Sequence, residues 1–333
     1  MKTLLMSAVA AAAVLTGTQG AMAACDDGEM VIKFSHVTNT DKHPKGIAAS
    51  LLQQRVNEEM DGKACMEVFP NSTLYNDDQV LEAMLQGDVQ MAAPSLSKFQ
   101  KYTKQLQVFD LPFLFKDMAA VDRFQQGPQG QELLNSLQKK GLVGLGYLHN
   151  GMKQMSGYAP IRTPADASGK KFRIMTSDVL QAQFEAVDAV PLKKPFSEVF
   201  TLLQTKAIDG AENPWSNLYS KKFFEVQPYI TETNHGLLDY MVVTSAEFWL
   251  QLDEDLRGEV KKALNEAIAF GNQVAAEKSL ADKQAIIDSK RSEVIAITDE
   301  ERQQWVKAMK PVWKQFEGEI GKELIDAAVA ANK

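Results

Sequence analysis

Several things a function could be hung on are missing from this chain. It has two cysteines in 333 residues, Cys25 and Cys65, too few for a zinc cluster. Its four histidines, His36, His43, His149 and His235, have no metal-ligand spacing, so neither a metal nor a cofactor is expected. There is no Gly-x-Ser-x-Gly elbow, no zinc-binding helix and no phosphate loop, so an enzyme is not expected. No long basic run occurs and the net charge is −7, which argues against nucleic acid as a partner. Beyond the first 23 residues no apolar run reaches the roughly 20 residues of a membrane span.

What is present begins with a targeting segment. Met1-Lys2, an alanine-rich apolar run from Leu4 to Leu15, and Ala21-Met22-Ala23 together read as a secretory signal peptide over 1–23. An exported chain can oxidise its thiols, so a Cys25–Cys65 disulfide is expected, provided the strands beside them are parallel neighbours. The competing reading makes Cys25 a lipoprotein cysteine, against which Met22 stands where a lipobox usually has leucine. About 310 residues then remain, more than one core usually serves, so two domains are expected.

The fold class expected is α/β. Met30–Ser35, Cys65–Phe69 and Val89–Ala93 read as strands separated by helices starting at Pro44 and near Asp77, a βαβαβ order that implies parallel pairing. The aromatic run Val108–Phe115 reads as core. Gly144 and Gly146 invite a dinucleotide fingerprint, but the third glycine position holds His149 and no helix opens there, so that site is rejected. Asn71-Ser72-Thr73 matches a glycosylation acceptor by chance. His149-Asn150-Gly151 is read as a crossover into a second lobe. The proline-free stretch 253–292 reads as one long helix, with Gly258 and Gly271 as places where it could break.

The most informative stretch is Gly169 to Pro214. Lys171–Met175 is a short strand interrupted by Arg173, and a helix follows from Ser177. A second helix, which Ser197 can cap, leads into a brief strand that stops at Asn213, because Pro214 forces extended geometry on the residue before it. In open α/β sheets ligands bind beyond the carboxyl ends of strands, which makes Arg173 and Asn213 candidate anion ligands. From the residues alone, a structural salt bridge competes for Arg173 and an ordinary turn role for Asn213. A weak internal repeat pairs Met84-Leu85-Gln86, closed by Pro94, with Leu202-Leu203-Gln204, closed by Pro214. It suggests that Ser95 faces Asn213 across a cleft.

The segments GKKFRIM at 169–175 and LLQTKAIDGAENPW at 202–215 resemble the solute-binding proteins of tripartite ATP-independent periplasmic (TRAP) transporters. The likeness runs from about Val31 to the end of the chain and is greatest to members that bind four-carbon dicarboxylates. It implies a two-lobed periplasmic binding protein fold, each lobe a mostly parallel sheet flanked by helices, with the long helix spanning both. Lobe 1 would be 24–149 and 237–275 and lobe 2 would be 150–236 and 276–333, the terminal helices closing lobe 2 and the helix near 253–292 being shared. It further implies that Arg173 fixes a ligand carboxylate, that Asn213 helps hold it, and that Phe196 walls the pocket, with Trp215 as a further wall candidate. Lys153 stands where many sialic-acid-type members carry a second arginine, which keeps the charge and loses the planar fork. A second carboxylate needs partners from the first lobe, for which Ser95, His36, Thr38 and Lys45 are the candidates.

The function expected is periplasmic binding of malate, succinate or fumarate by a monomer, with delivery to membrane permease subunits. The alternative is a periplasmic sensor component that presents an organic acid to a receptor kinase.

Overall fold

The computed structural model describes residues 25–333; the signal peptide expected over 1–23 lies outside them. The chain opens with β1 (Met30–Ser35), β2 (Ala64–Phe69), β3 (Met91–Ala92) and β4 (Leu142–Met152). It passes to β5 (Gln154–Gly157), β6 (Lys171–Ile174), β7 (Val190–Lys193), β8 (Gly210–Asn213) and β9 (Tyr229–Glu232). It then returns as β10 (Leu237–Ser245) before adding β11 (Glu293–Ala296). Two sheets result, ordered β2-β1-β3-β10-β4 and β11-β9-β5-β8-β6-β7.

Each sheet runs in one direction except for a single reversed strand, β10 in the first and β5 in the second. Each reversed strand arrives directly from the other sheet: β5 continues β4 after Lys153, and β10 continues β9 after Thr233–Gly236. The two crossings lie side by side. Lys153 N–H donates to the Gly236 carbonyl (2.8 Å), and Leu237 pairs with Met152. The crossover therefore sits at Lys153 rather than at His149–Gly151, which remain inside β4.

Val31 of β1 is in register with Cys65 of β2, a parallel pair. That brings the two strand starts together, and Cys25 and Cys65 are disulfide-bonded with Cα atoms 5.5 Å apart. The aromatic run packs as expected: Phe109 stacks on Phe115 (6.0 Å) and meets Phe124 edge-on (5.5 Å) in the core. Ser197 is not a helix cap. It lies in the turn Phe196–Glu198, and the helix Val199–Gln204 starts without a side-chain cap.

The long helix, Glu254–Ser289, is uninterrupted over 36 residues, about 54 Å. It starts where the Asp253 side chain accepts the Leu256 N–H (2.8 Å). It packs on the helix Pro44–Glu59 and on β4 at one end and on the helix Trp215–Ser220 at the other, so it straps both sheets. Neither glycine breaks it. A Cβ on Gly271 would lie 2.7 Å from the Ala48 Cβ and 2.7 Å from Leu148, so this glycine lets the helix approach closely. Gly258 faces open space.

The terminal helices divide between the lobes instead of both closing the second. The helix Asp299–Met309 lies against the helix Pro164–Ala167, and Trp305 Nε1 donates to the Arg162 carbonyl (2.8 Å). The helices Pro311–Ile320 and Lys322–Ala330 return to the first lobe. There Trp313 Nε1 donates to the Pro112 carbonyl (2.8 Å) and Arg123 Nε to the Ala331 carbonyl (2.8 Å). Their apolar residues Val312, Phe316, Ile325 and Ala328 join the cluster around Phe109; an amphipathic stripe specifies a buried face, not which core receives it.

The two helix glycines give opposite expectations for one substitution. Gly258→Ala raises the unfolding free energy by about 0.5 to 1 kcal/mol through helix propensity, whereas Gly271→Ala lowers it by about 1 to 3 kcal/mol through overpacking. Urea unfolding of the two variants checks the sign at each position.

Candidate functional site

Short strands of both sheets end at a shared cleft, and a narrow pocket lies between them there. The second sheet supplies Arg173 and Met175 from the end of β6, Asn213 from the end of β8, and Phe196 and Asn217 from the segments that follow β7 and β8. The first lobe supplies Val37, Asp77, Ser95 and Lys98, with Leu238 and Tyr240 from β10.

Arg173 is 2% exposed. Its Nε donates to the Lys194 carbonyl (2.9 Å), and its guanidinium carbon lies 5.6 Å from the centre of the Phe196 ring. Burial pulls its pKa down to about 10, with Glu212, Asp78 and Asp77 acting against the shift; the group remains charged at neutral pH. Its terminal nitrogens have no protein partner among the described residues and border the cavity. Asn213 is fully buried, and neither its amide nitrogen nor its oxygen has a partner; Ser95 Oγ is in the same condition. Buried polar groups in this state cost about 1 to 3 kcal/mol each. Two of them in one cavity wall, beside an arginine, describe a surface shaped for a polar anion.

Phe196 and Ser95 are therefore brought together with Arg173 and Asn213, and the repeat-based placement of Ser95 opposite Asn213 matches the geometry. The remaining candidates lie elsewhere. Lys153 does not reach the cavity. Its Nζ is fully buried at the crossover, 2.8 Å from Glu212 Oε1, while His235 Nε2 holds the other oxygen at 2.7 Å. Trp215 points away, into the cluster with Leu218, Phe223 and Ile230, with Lys283 Nζ 5.5 Å from its ring centre. Lys45, His36 and Thr38 stand behind the first-lobe wall. Lys45 Nζ donates to the Ala93 carbonyl (2.9 Å) and sits 3.7 Å from the centre of the Tyr240 ring; burial lowers its pKa to about 8 against the pull of Asp77. His36 Nδ1 pairs with Thr38 Oγ1 (3.1 Å). Burial, with Lys45 and Lys221 adding to it, takes the His36 pKa to about 3, so the ring is neutral.

Four polar wall residues escaped sequence reasoning, as did the apolar Val37, Met175 and Leu238. Lys98 and Asp77 look like ordinary surface charges, and Asn217 and Tyr240 carry no motif. Asn217 and Tyr240 are set by a buried chain of hydrogen bonds. His43 Nδ1 accepts the Lys45 N–H (3.1 Å), so Nε2 carries the proton and donates to Asn217 Oδ1 (3.2 Å). Asn150 Nδ2 donates to that same oxygen and to the Tyr240 hydroxyl (2.9 Å).

Two lobes joined by paired crossings, a strap helix, and an interlobe pocket at strand ends that holds unpartnered polar groups define a small-molecule binding protein of the two-lobed α/β class. Residues 34–319 match the family model described as bacterial extracellular solute-binding protein, family 7, and the chain belongs to that family, which consists of solute-binding proteins rather than enzymes. It is 65% identical over 302 residues to the C4-dicarboxylate-binding periplasmic protein DctP of Shewanella loihica, covering 91% of this chain and 90% of that protein. It is 58% identical over 328 residues to the protein of the same name from Vibrio cholerae, covering 98% of each. Among solved structures it resembles a TRAP periplasmic solute-binding protein from Shewanella oneidensis with bound succinate. That match has a TM-score of 0.91 at 61% identity, covering 92% of this chain and 100% of that one.

The buried Glu212 gives a pH expectation. Burial alone would raise its pKa, but Lys153 and His235 outweigh it and hold the group down to about 2. Stability from this depressed carboxylate is complete above 4.5, its ordinary value, and is lost as the pH falls through about 2. Glu212→Gln costs about 3 to 5 kcal/mol at neutral pH, since it leaves Lys153 charged and unpaired. The gap between wild type and variant in urea unfolding narrows as the pH is lowered from 4.5 towards 2.

Proposed function

We propose that this protein binds a four-carbon dicarboxylate in the periplasm, in the cavity between its lobes, and hands it to the membrane permease subunits of a TRAP-type transporter. The observation that carries the reading is Arg173. It is a buried, charged guanidinium held by its Nε and stacked near Phe196, with its two terminal nitrogens free towards a cavity that also contains the unpartnered Asn213 amide. A guanidinium so placed offers a carboxylate two parallel hydrogen bonds, and Asn213 offers a third. The relative from Shewanella oneidensis holds succinate, and a similar protein from Pseudomonas aeruginosa holds L-malate, at 44% identity and a TM-score of 0.83 over 86% of this chain and 99% of that one. No helix of the described residues is long and apolar enough to cross a membrane.

Ligand contacts from both lobes would favour the closed arrangement, because each lobe alone makes only part of the binding surface. Charge-assisted bonds of about 1.5 to 3 kcal/mol each supply most of the roughly 8 kcal/mol that a micromolar affinity needs.

Calorimetric titration with succinate, L-malate, fumarate and butyrate tests the reading. Arg173→Ala loses affinity for all four by about 3 kcal/mol or more, and Arg173→Lys recovers little, because an ammonium cannot chelate both oxygens. Wild-type affinity in Arg173→Ala, or turnover of the bound acid, would sink it.

A further inference from the structure

Arg173 and Asn213 account for one carboxylate, and a dicarboxylate has two. Among the described residues that line the cavity, Arg173 and Lys98 are the cations. The other first-lobe cation close by, Lys45, donates to the Ala93 carbonyl (2.9 Å) and lies over the Tyr240 ring (3.7 Å to its centre). The Lys98 side chain is 4% exposed. Its Nζ lies 2.6 Å from Asp78 Oδ1 and 3.2 Å from Thr176 Oγ1, and the Thr176 hydroxyl itself donates to Asp78 Oδ1 (2.6 Å). An ammonium has three N–H donors. Two are taken by this triangle, which leaves one for the cavity.

The triangle spans the cleft. Asp78 and Lys98 belong to the first lobe, whereas Thr176 follows β6, three residues after Arg173. The same segment is gripped further along, where the Asp178 N–H donates to Gln100 Oε1 (2.9 Å) and the Asp178 carboxylate meets Lys104 (3.4 Å). The segment that leaves the arginine is thus held by the lobe that carries Lys98.

We propose that Lys98 binds the second carboxylate of the ligand and is the residue that selects dicarboxylates over monocarboxylates, with Asp78 and Thr176 as positioning residues that hold it in place only when the lobes are closed. This rests on the dicarboxylate reading of the cavity. The selection follows from charge. Lys98 and Arg173 line one pocket and repel each other; a ligand with a carboxylate at each end answers both, and one with a single carboxylate leaves Lys98 buried without its third partner. Closure and recognition become one event, because Asp78 orients the ammonium and grips the far lobe through the same oxygen.

The test compares succinate with butyrate, which keeps the four-carbon chain and drops one carboxylate, on four proteins by calorimetry and stopped-flow fluorescence. Lys98→Met lowers succinate affinity on the order of 10- to 100-fold and leaves butyrate affinity near that of wild type, so the ratio between the two collapses. Thr176→Val removes the cross-cleft bond and speeds dissociation of both ligands several-fold while the ratio stays. Arg173→Ala weakens both, which separates the two carboxylate sites. A wild-type succinate to butyrate ratio in Lys98→Met, in a protein whose circular dichroism and melting match wild type, overturns the assignment while leaving the dicarboxylate reading intact. A wild-type protein that binds succinate no better than butyrate overturns both. Should Lys98→Met fail to fold, Lys98→Gln, which keeps a donor and loses the charge, takes its place with the same expected collapse.

Discussion

A carboxylate buried between strands has to be partnered where it lies, and Glu212 is held from both strand crossings between the lobes, by the Lys153 ammonium and by a hydrogen bond from His235. Lys153 comes from the crossing that leads into the second sheet and His235 from the one that leads out, and each holds one oxygen. Desolvating three such groups is expensive, and only close geometry recovers the cost. That geometry forces other choices. Lys153 crowds Gly236 so closely that a Cβ there would fall 2.8 Å from its Cε, so the second crossing needs glycine at that position. The next residue after Glu212 is Asn213. Pinning the crossings and aiming the candidate ligand amide are therefore the same piece of packing. The first sheet repeats the device. Asp239 accepts from His149 Nδ1 (2.6 Å), from the Asn150 N–H (3.0 Å) and from Gln125 Nε2 (3.0 Å), and Asn150 then reaches Asn217 and Tyr240 in the cavity wall. Asp239 and the exposed Asp122 outweigh burial and raise the His149 pKa to about 10, so the ring carries its charge at neutral pH and serves as a fixed donor to both.

How much of this could be read from the chain depends on whether the deciding interaction is local. Arg173 and Asn213 were legible because each lies at or near the end of a short strand, one followed by the helix from Ser177 and the other stopped by Pro214, and strand ends are where such sheets bind ligands. Phe196 came with them through the motif. Ser95 was legible through the repeat, since Pro94 and Pro214 end comparable strands in the two lobes. The disulfide followed from parallel strand starts. Lys153 and Trp215 were misplaced for a common reason: a charged or aromatic residue beside a site can face the site or the crossover behind it, and spacing does not distinguish them. Lys153 turned to Glu212, a partner 59 residues away, which no window of sequence reveals. Lys98 shows the converse. It sits in a short 3₁₀ turn, Leu96–Phe99, where a lysine looks solvated, and only the arrival of Asp78 and Thr176 buries it.

The long helix shows the same limit from the other side. Its two glycines look alike in sequence, as candidate breaks, yet one faces solvent and the other lies where the helix meets Ala48 and Leu148. A glycine tolerated for want of contacts and one required by contact differ in energy by sign. The return of the last two helices to the first lobe is also a tertiary fact. Their apolar stripes fit the Phe109 cluster, and the Asn332 side chain accepts the Lys116 N–H and donates to the Leu114 carbonyl (2.8 Å each). With the strap helix already joining both sheets, this return links the lobes a second time, close to the second crossing, where Arg302 donates to the Thr233 carbonyl (3.1 Å) and the Phe113 N–H to the His235 carbonyl (2.7 Å).

The contacts across the cleft are of two kinds. Lys104 with Asp178, and Lys221 Nζ with Asn71 Oδ1 (2.8 Å), join partly exposed side chains, and exposed pairs of this sort contribute about 0 to 1 kcal/mol each. His43 Nε2 with Asn217 Oδ1 (3.2 Å), Gln183 Nε2 with the Asp110 carbonyl (2.5 Å) and the Lys98 triangle are buried and hold the closed arrangement more firmly. A carrier needs that arrangement to depend on its ligand. Closure must be tipped by the charge of a small acid that fills the space before Arg173 and Asn213, and must be reversible when another protein pulls the lobes apart. Had Asn213 and Ser95 been satisfied by protein partners, as Ser97 Oγ is by Asp110 (2.6 Å), the closed arrangement would need no ligand to complete it. On the proposed dicarboxylate reading, their unpartnered groups make closure conditional on an anion.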